Sequence, residues 1–208
     1  MGCGSYLGLL CPRCVPLSPA HRTADGTWWA ARYEGAVRSA LLAYKERRRR
    51  DLVTPLGELL TRSIAALCAG ERGPPERLVL VPVPSARSVA AARGGDHVLR
   101  LARRAGAACG LRTAAGALAL TRQVRDSAGL GATERAANLA HAVLARPAPA
   151  GWTALVVDDI VTTGATLREC SRALGAAGWP VAGAAVVAAT PRHVGAAVPP
   201  LAQHSDTV

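Results

Sequence analysis

The stretch Ala154–Cys170, ALVVDDIVTTGATLREC, decides how this chain is read. A run of apolar residues leads into two adjacent acids, then a Thr/Gly-rich turn, then a helical pattern. The run ahead of the acids is short, apolar and rich in valine, which predicts a buried strand. Thr162, Thr163, Gly164, Ala165 and Thr166 form the turn. Gly164 lets the backbone come close to a ligand with no Cβ in the way. Leu167, Cys170, Leu174 and Ala177 recur at helical spacing and predict a helix over 164–177 whose N-terminus opens on the turn. Unpaired N–H groups at that end, the helix dipole and three threonine hydroxyls make an anion cradle. It is not a P-loop: GxxxxGK[ST] is absent, and Lys45, the chain's only lysine, is expected nowhere near it.

The acids need a separate reason. A carboxylate beside a phosphate site repels the phosphate, so Asp158 and Asp159 have to meet another part of the ligand. Ionised Asp is acceptor-only, and two neighbouring acceptors match a vicinal diol such as a ribose with free hydroxyls. They also suit a divalent cation or a positive sugar carbon. A sugar with phosphate at one end and a diol in the middle satisfies both halves of the motif. The plainer reading, two acids capping a turn, has the whole strand–acid–turn–helix string against it.

Outward from this motif the chain alternates strands and helices. Tyr33, Val37, Ala40, Leu41 and Tyr44 share one helical face, with Arg38 and Lys45 off it. A second helix is predicted from Thr54, with Pro55 at its first position, to about Ala69. RLVLVPVP, Arg77 to Pro84, reads as a short buried strand, and a helix follows over 88–108. A weak strand near 118–121, a helix around 133–144, and the strand VAGAAVVAAT after Pro180 complete the pattern. This order predicts an α/β fold, a mostly parallel sheet with helices on both faces. It occupies residues 31–190, with a loop-rich, cysteine-bearing segment at 1–30 and a loose tail at 191–208. Cys68, Cys109 and Cys170 sit singly in helical patterns as small core residues.

The 208 residues suffice for one such domain with a proper core. With no Phe and 3% aromatic residues, that core has to be Val, Leu and Ala. The net charge is +11, and every basic residue except Lys45 is Arg. That balance favours an anionic ligand or nucleic acid over an acidic protein partner. No apolar run is long enough to span a membrane and no signal peptide is recognisable, so a cytoplasmic location is expected.

VVDDIVTTGAT resembles the phosphoribosyl-pyrophosphate (PRPP) motif of type I phosphoribosyltransferases. YEGAVRSALLAYKERRRRDL, VPVPSARSVAAARGGDH and LTRQVRDSAGLGATERAANLAHAV are similar to segments of one branch, the ComF/GntX-like amidophosphoribosyltransferases linked to competence and DNA uptake. Together they cover roughly 33–190. Three positions depart from that branch: Gly95 stands for its aromatic, its usual glutamine falls near Ser127, and Ala91 stands for the first Arg of R-x-R-G.

The resemblance implies a type I phosphoribosyltransferase (Rossmann-like) fold and transfer of phosphoribose to an acceptor through an oxocarbenium-like transition state. Asp158 and Asp159 would take the ribose hydroxyls, and Thr162 to Thr166 the 5-phosphate. Ser85 and Arg87, with Arg93, Arg122 and Arg125 closing over, would face the pyrophosphate, with Mg2+ as the accompanying ion. His97 reads as a surface or helix-satisfied histidine rather than a base, and Arg135 and Asn138 as supports of the loop-bearing helix. Cys3, Cys11 and Cys14 resemble part of the family's structural zinc ribbon. Their fourth ligand would be His21 or would precede Met1. Arg47 to Arg50 support a rival reading, a non-catalytic competence protein binding single-stranded DNA, although stacking aromatics are scarce.

Overall fold

A computed structural model describes residues 10, 19–70, 77–85, 95–121 and 141–190. Its centre is β7 (Thr153–Val161), the strand of the acidic motif. Leu155, Val156 and Val157 are wholly buried there, each worth about 1.5–3 kcal/mol of apolar transfer. Around it a sheet forms in the order β1 (His21–Arg22), β2 (Thr27–Arg32), β8 (Val181–Ala189), β7, β3 (Leu78–Pro82), β4 (Arg112–Thr113). Every neighbouring pair is parallel except β1 with β2. A buried parallel sheet needs cover on both faces, and the two halves of the core show it.

On one face Leu155 and Val157 pack beneath α1 (Gly35–Glu46), α2 (Val53–Cys68) and α3 (His97–Cys109). On the other, Ala154 and Val156 pack beneath α4 (Ala165–Ala176) and the antiparallel pair β5 (Leu118–Leu120) and β6 (Val143–Ala145). With no Phe in the chain, Trp29 and Trp179 supply the bulk on this second face. Trp179 donates its Nε1–H to the Arg146 carbonyl at 2.8 Å.

The connections set the ligand side. From β3 the chain crosses by α3 to β4, toward one edge. From β7 it crosses by α4 to β8, toward the other edge and over the opposite face. Both crossings then have the right-handed sense that parallel connections take. The winding reverses between β3 and β7, and ligands of such sheets bind in the crevice at the strands' carboxyl ends there. The β3 end leads to Ser85 and the β7 end to the turn at 162–164.

Several sequence expectations are corrected. The main sheet begins at His21, ahead of the boundary at residue 30, because TWWAAR adds to β8 in parallel register. The expected helix around 133–144 overlaps the strand Val143–Ala145, which pairs antiparallel with β5. Cys170 is core, but Cys68 and Cys109, at the ends of α2 and α3, are only half-buried. Cys3, Cys11 and Cys14, expected as part of a zinc ribbon, lie outside the described residues, as do Arg87, Arg93, Arg122, Arg125, Arg135 and Asn138. No helix among the described residues is long and apolar enough to cross a membrane.

Candidate functional site

Consecutive residues of a strand point to opposite faces. The acidic pair stands on the last turns of β7's pleat, so its two carboxylates part company. Asp159 continues the Leu155–Val157 face, toward α1 and α3, and is 3% exposed. Asp158 continues the Ala154–Val156 face, toward α4, and is partly exposed at the crevice. Its Oδ1 accepts the backbone N–H of Asp159 at 2.8 Å.

Two residues far away in sequence converge on Asp159. Lys45 Nζ, from the last turn of α1, lies 2.6 Å from Asp159 Oδ2. His97 Nε2, from the first turn of α3, lies 3.2 Å from the same oxygen. Lys45 is therefore corrected from remote to adjacent, though to the acids rather than to the anion loop. His97, expected at the surface or satisfied within its helix, is buried at 4% exposure, which rules out the surface alternative. Its Nδ1 makes no hydrogen bond among the described residues.

Tyr44 packs edge-on against the His97 ring and donates its hydroxyl to the His97 carbonyl at 3.1 Å. The Arg100 guanidinium sits 5.7 Å over the Tyr44 ring. Asp96 caps α3 by accepting the Leu99 N–H at 3.0 Å. Gly95 adopts φ +117°, and a Cβ there would stand 2.7 Å from Arg100 Nη1. A side chain at that position would have to move this guanidinium and would be strained by the positive φ.

The electrostatics separate the acids. Burial works to raise the pKa of Asp159, but the Lys45 ammonium and His97 imidazole overcome it and hold its carboxyl well below the usual carboxylate range. Burial pushes the Asp158 carboxyl well up, and the charge of Asp159 adds to it. One acid is a fixed internal anion. The other binds its proton more tightly than a free carboxylate.

The anion loop follows at once. Gly164 takes the left-handed conformation, φ +71°, and opens α4 without a side-chain cap. Thr163 Oγ1 accepts the Ala165 N–H at 3.4 Å, and Arg168 on the first turn reaches Asp25 at 3.4 Å. Asp25 belongs to the β1–β2 turn, where the Thr23 hydroxyl donates to it. A Cβ on Gly164 would lie 2.7 Å from both Arg168 Nη1 and Asp25 Oδ2, so a side chain there would push the Arg168–Asp25 pair aside and meet the strain of a left-handed backbone. Thr162 is exposed, Thr163 and Thr166 half-buried, and Ala165 buried. Ser85 is half-buried past the end of β3.

A hard cation takes oxygen donors. Asp158, partly exposed at the end of β7, is the carboxyl that would hold magnesium, and it would do so in its ionised form. Among the described residues no three His, Cys, Asp or Glu side chains gather as a metal site, and His21 stacks on Trp29 with ring centroids 4.5 Å apart.

The phosphoribosyl transferase domain model matches residues 94–197, half of the 208-residue chain. The chain belongs to the phosphoribosyl transferase domain family. Among solved structures, the adenine phosphoribosyltransferase from Leishmania donovani aligns over 85% of this chain and 77% of its own, at 11% identity and a TM-score of 0.41. No curated protein sequence matches the chain. The phosphoribosyl transferase domain match includes the acidic pair, the anion loop and His97, and Lys45 reaches the site from α1, ahead of the matched span.

Proposed function

We propose that this chain is a ComF-like phosphoribosyltransferase that binds PRPP with magnesium and passes the phosphoribosyl group to an acceptor. The observation that supports this reading is that the acidic pair and the Thr/Gly turn follow one another at the carboxyl end of β7, beside the reversal of winding. Asp158 and Asp159 accept from the ribose hydroxyls. The 5-phosphate receives the N–H groups of the turn and the hydroxyls of Thr162, Thr163 and Thr166. Ser85 meets the pyrophosphate, with Arg87, Arg93, Arg122 and Arg125 as its further partners.

In the transfer, the bond from the anomeric carbon to the pyrophosphate oxygen breaks and its electron pair leaves with pyrophosphate. A lone pair of the acceptor forms the new bond, and the acceptor loses a proton. Bound magnesium supplies positive charge for the departing pyrophosphate. The carboxylates at the ribose favour the positive charge that develops on the sugar.

Pyrophosphate release, followed by mass spectrometry over a panel of bases and amines, tests the reading. Release with at least one acceptor, lost in Asp158→Asn, is expected. PRPP that neither binds in calorimetry nor turns over would remove it. A second reading is favoured by the exposed run Arg47 to Arg50 at the end of α1: a single-stranded DNA-binding accessory protein with PRPP as its regulatory ligand. It predicts DNA affinity that falls steeply with salt and no pyrophosphate release with any acceptor.

A further inference from the structure

Arg168 carries its charge at the unfavourable end of a helix. It stands on the first turn of α4, where its backbone N–H donates to the Gly164 carbonyl at 2.9 Å. A cation there meets the positive end of the helix dipole, so it calls for an anion beside it. Asp25 is that anion, and it comes from the β1–β2 turn, ahead of the span that matches the phosphoribosyl transferase domain. Guanidinium and carboxylate meet against Gly164, each 2.7 Å from the place a Cβ would take. The pair therefore lies on the backbone of the same turn that is read as the 5-phosphate loop.

The two partners are not held equally. Asp25 is fixed by its turn: the Thr23 hydroxyl donates to it and accepts the Thr27 N–H at 2.9 Å. Thr23 and Thr27 are buried, and the Thr23 N–H donates to the Thr27 carbonyl at 2.9 Å. Arg168 reaches Asp25 through Nη1 at 3.4 Å, with its side chain 59% exposed. An ion pair that long and that exposed contributes little in water. A guanidinium makes stronger, charge-assisted contacts to a phosphate. Of the two, the arginine is the one that can leave.

We propose that Arg168 is a 5-phosphate-binding residue, paired with Asp25 until the ligand's phosphate takes it. Asp25 then sets how tightly the turn holds an anion, because the ligand has to draw the guanidinium away from it. This rests on the PRPP reading. It adds to the turn's N–H groups and threonines a cation from α4 and a competing carboxylate from the β1–β2 turn.

The test measures PRPP affinity with magnesium by calorimetry in the full chain, with magnesium pyrophosphate as a competitor and melting recorded alongside. Arg168→Gln weakens PRPP binding about tenfold or more, while pyrophosphate competes as it does in the parent. Asp25→Asn tightens PRPP binding about two- to fivefold. That gain shrinks in the Arg168→Gln background, where there is no guanidinium to release. Both single variants melt close to the parent, because the pair is exposed.

PRPP binding that Arg168→Gln leaves unchanged overturns the proposal. So does an equal loss of pyrophosphate competition, which would turn Arg168 toward the other end of the ligand. Weaker binding in Asp25→Asn would make Asp25 a support for Arg168 and not its competitor, and an equal gain in both backgrounds would make it a bare charge acting on the ligand. Either result overturns the exchange. A large fall in melting temperature shared by both variants does so too, since the pair would then serve to hold β1–β2 on α4. If pyrophosphate does not displace PRPP from the parent, the PRPP measurements decide alone. A parent that binds no PRPP removes the transferase reading and this proposal with it, whereas parent binding with unaltered variants removes this proposal alone.

Discussion

Asp159 keeps its charge with almost no water around it, and the cost shows on acidification. A carboxyl held below its ordinary pKa adds stability above the unfolded value, near 3.9 for Asp, and gives it back as pH falls through the folded value. Asp159→Asn should therefore cost about 3 kcal/mol near neutrality, in urea unfolding, with the difference shrinking as the pH drops below 4. Asp158 has the opposite sign. Its raised carboxyl favours the fold at low pH, and that contribution is lost as pH rises through the folded value. Asp158→Asn should melt higher than the parent at pH 8 and equally at low pH, as scanning calorimetry across pH would show. Cys170 is a simpler case. It is wholly buried and burial pushes its thiol up. Alkylation of the native protein with peptide mapping should label Cys68 and Cys109 and spare Cys170. Neither Lys45 nor His97 was legible beside the motif, because residues 45, 97 and 159 meet only once α1 and α3 lie on β7. The available signal was compositional: one Lys in a chain that otherwise uses only Arg.

At the scale of elements, α3 shows how tightly the layers fit. Gly106 lies where this helix crosses β3 and β4, and a Cβ there would stand 2.7 Å from the Leu111 carbonyl and 3.3 Å from Leu80 Cδ1. Backbone cannot yield as a side-chain tip does, so Gly106→Ala should destabilise by about 1–3 kcal/mol, read from the urea midpoint at unchanged slope. α4 is stapled to β6 by charge: Arg172 pairs with Glu169 at 2.7 Å, and Glu169 accepts the Val143 N–H at 3.4 Å. These elements differ in how far sequence could foresee them. β7, α4 and β8 follow from local pattern, since apolar runs, a glycine turn and a helical stripe each suffice. β2 does not, because its strand character depends on pairing with β8, more than a hundred residues on. β6 was hidden by an Ala/Leu composition that suits helix equally well. The three residues of each of β5 and β6 leave no period to count.

Across the whole molecule, the net charge of +11 acts on any polyanionic ligand before contact. The screening length falls from about 30 Å at 0.01 M salt to about 8 Å at 0.15 M. PRPP association, followed by stopped flow, should slow steeply over that range, while dissociation changes less; an association rate indifferent to salt would show that the surplus of arginine has no part in capture. The fold class was legible, and so was the position of the turn at 162–164 past the end of β7, because strand, turn and helix follow from local pattern. The partition of the acids was not, since alternation along a strand matters only when the helices on each face are known. One consequence follows for the chemist. The chain's single ε-amine lies 2.6 Å from a buried carboxylate. Amine-acylating reagents therefore have one side-chain target, apart from the N-terminal amine, and it is engaged whenever α1 is seated on the sheet. The speed of that one modification serves as a built-in gauge of whether the pair is closed, with no foreign probe added.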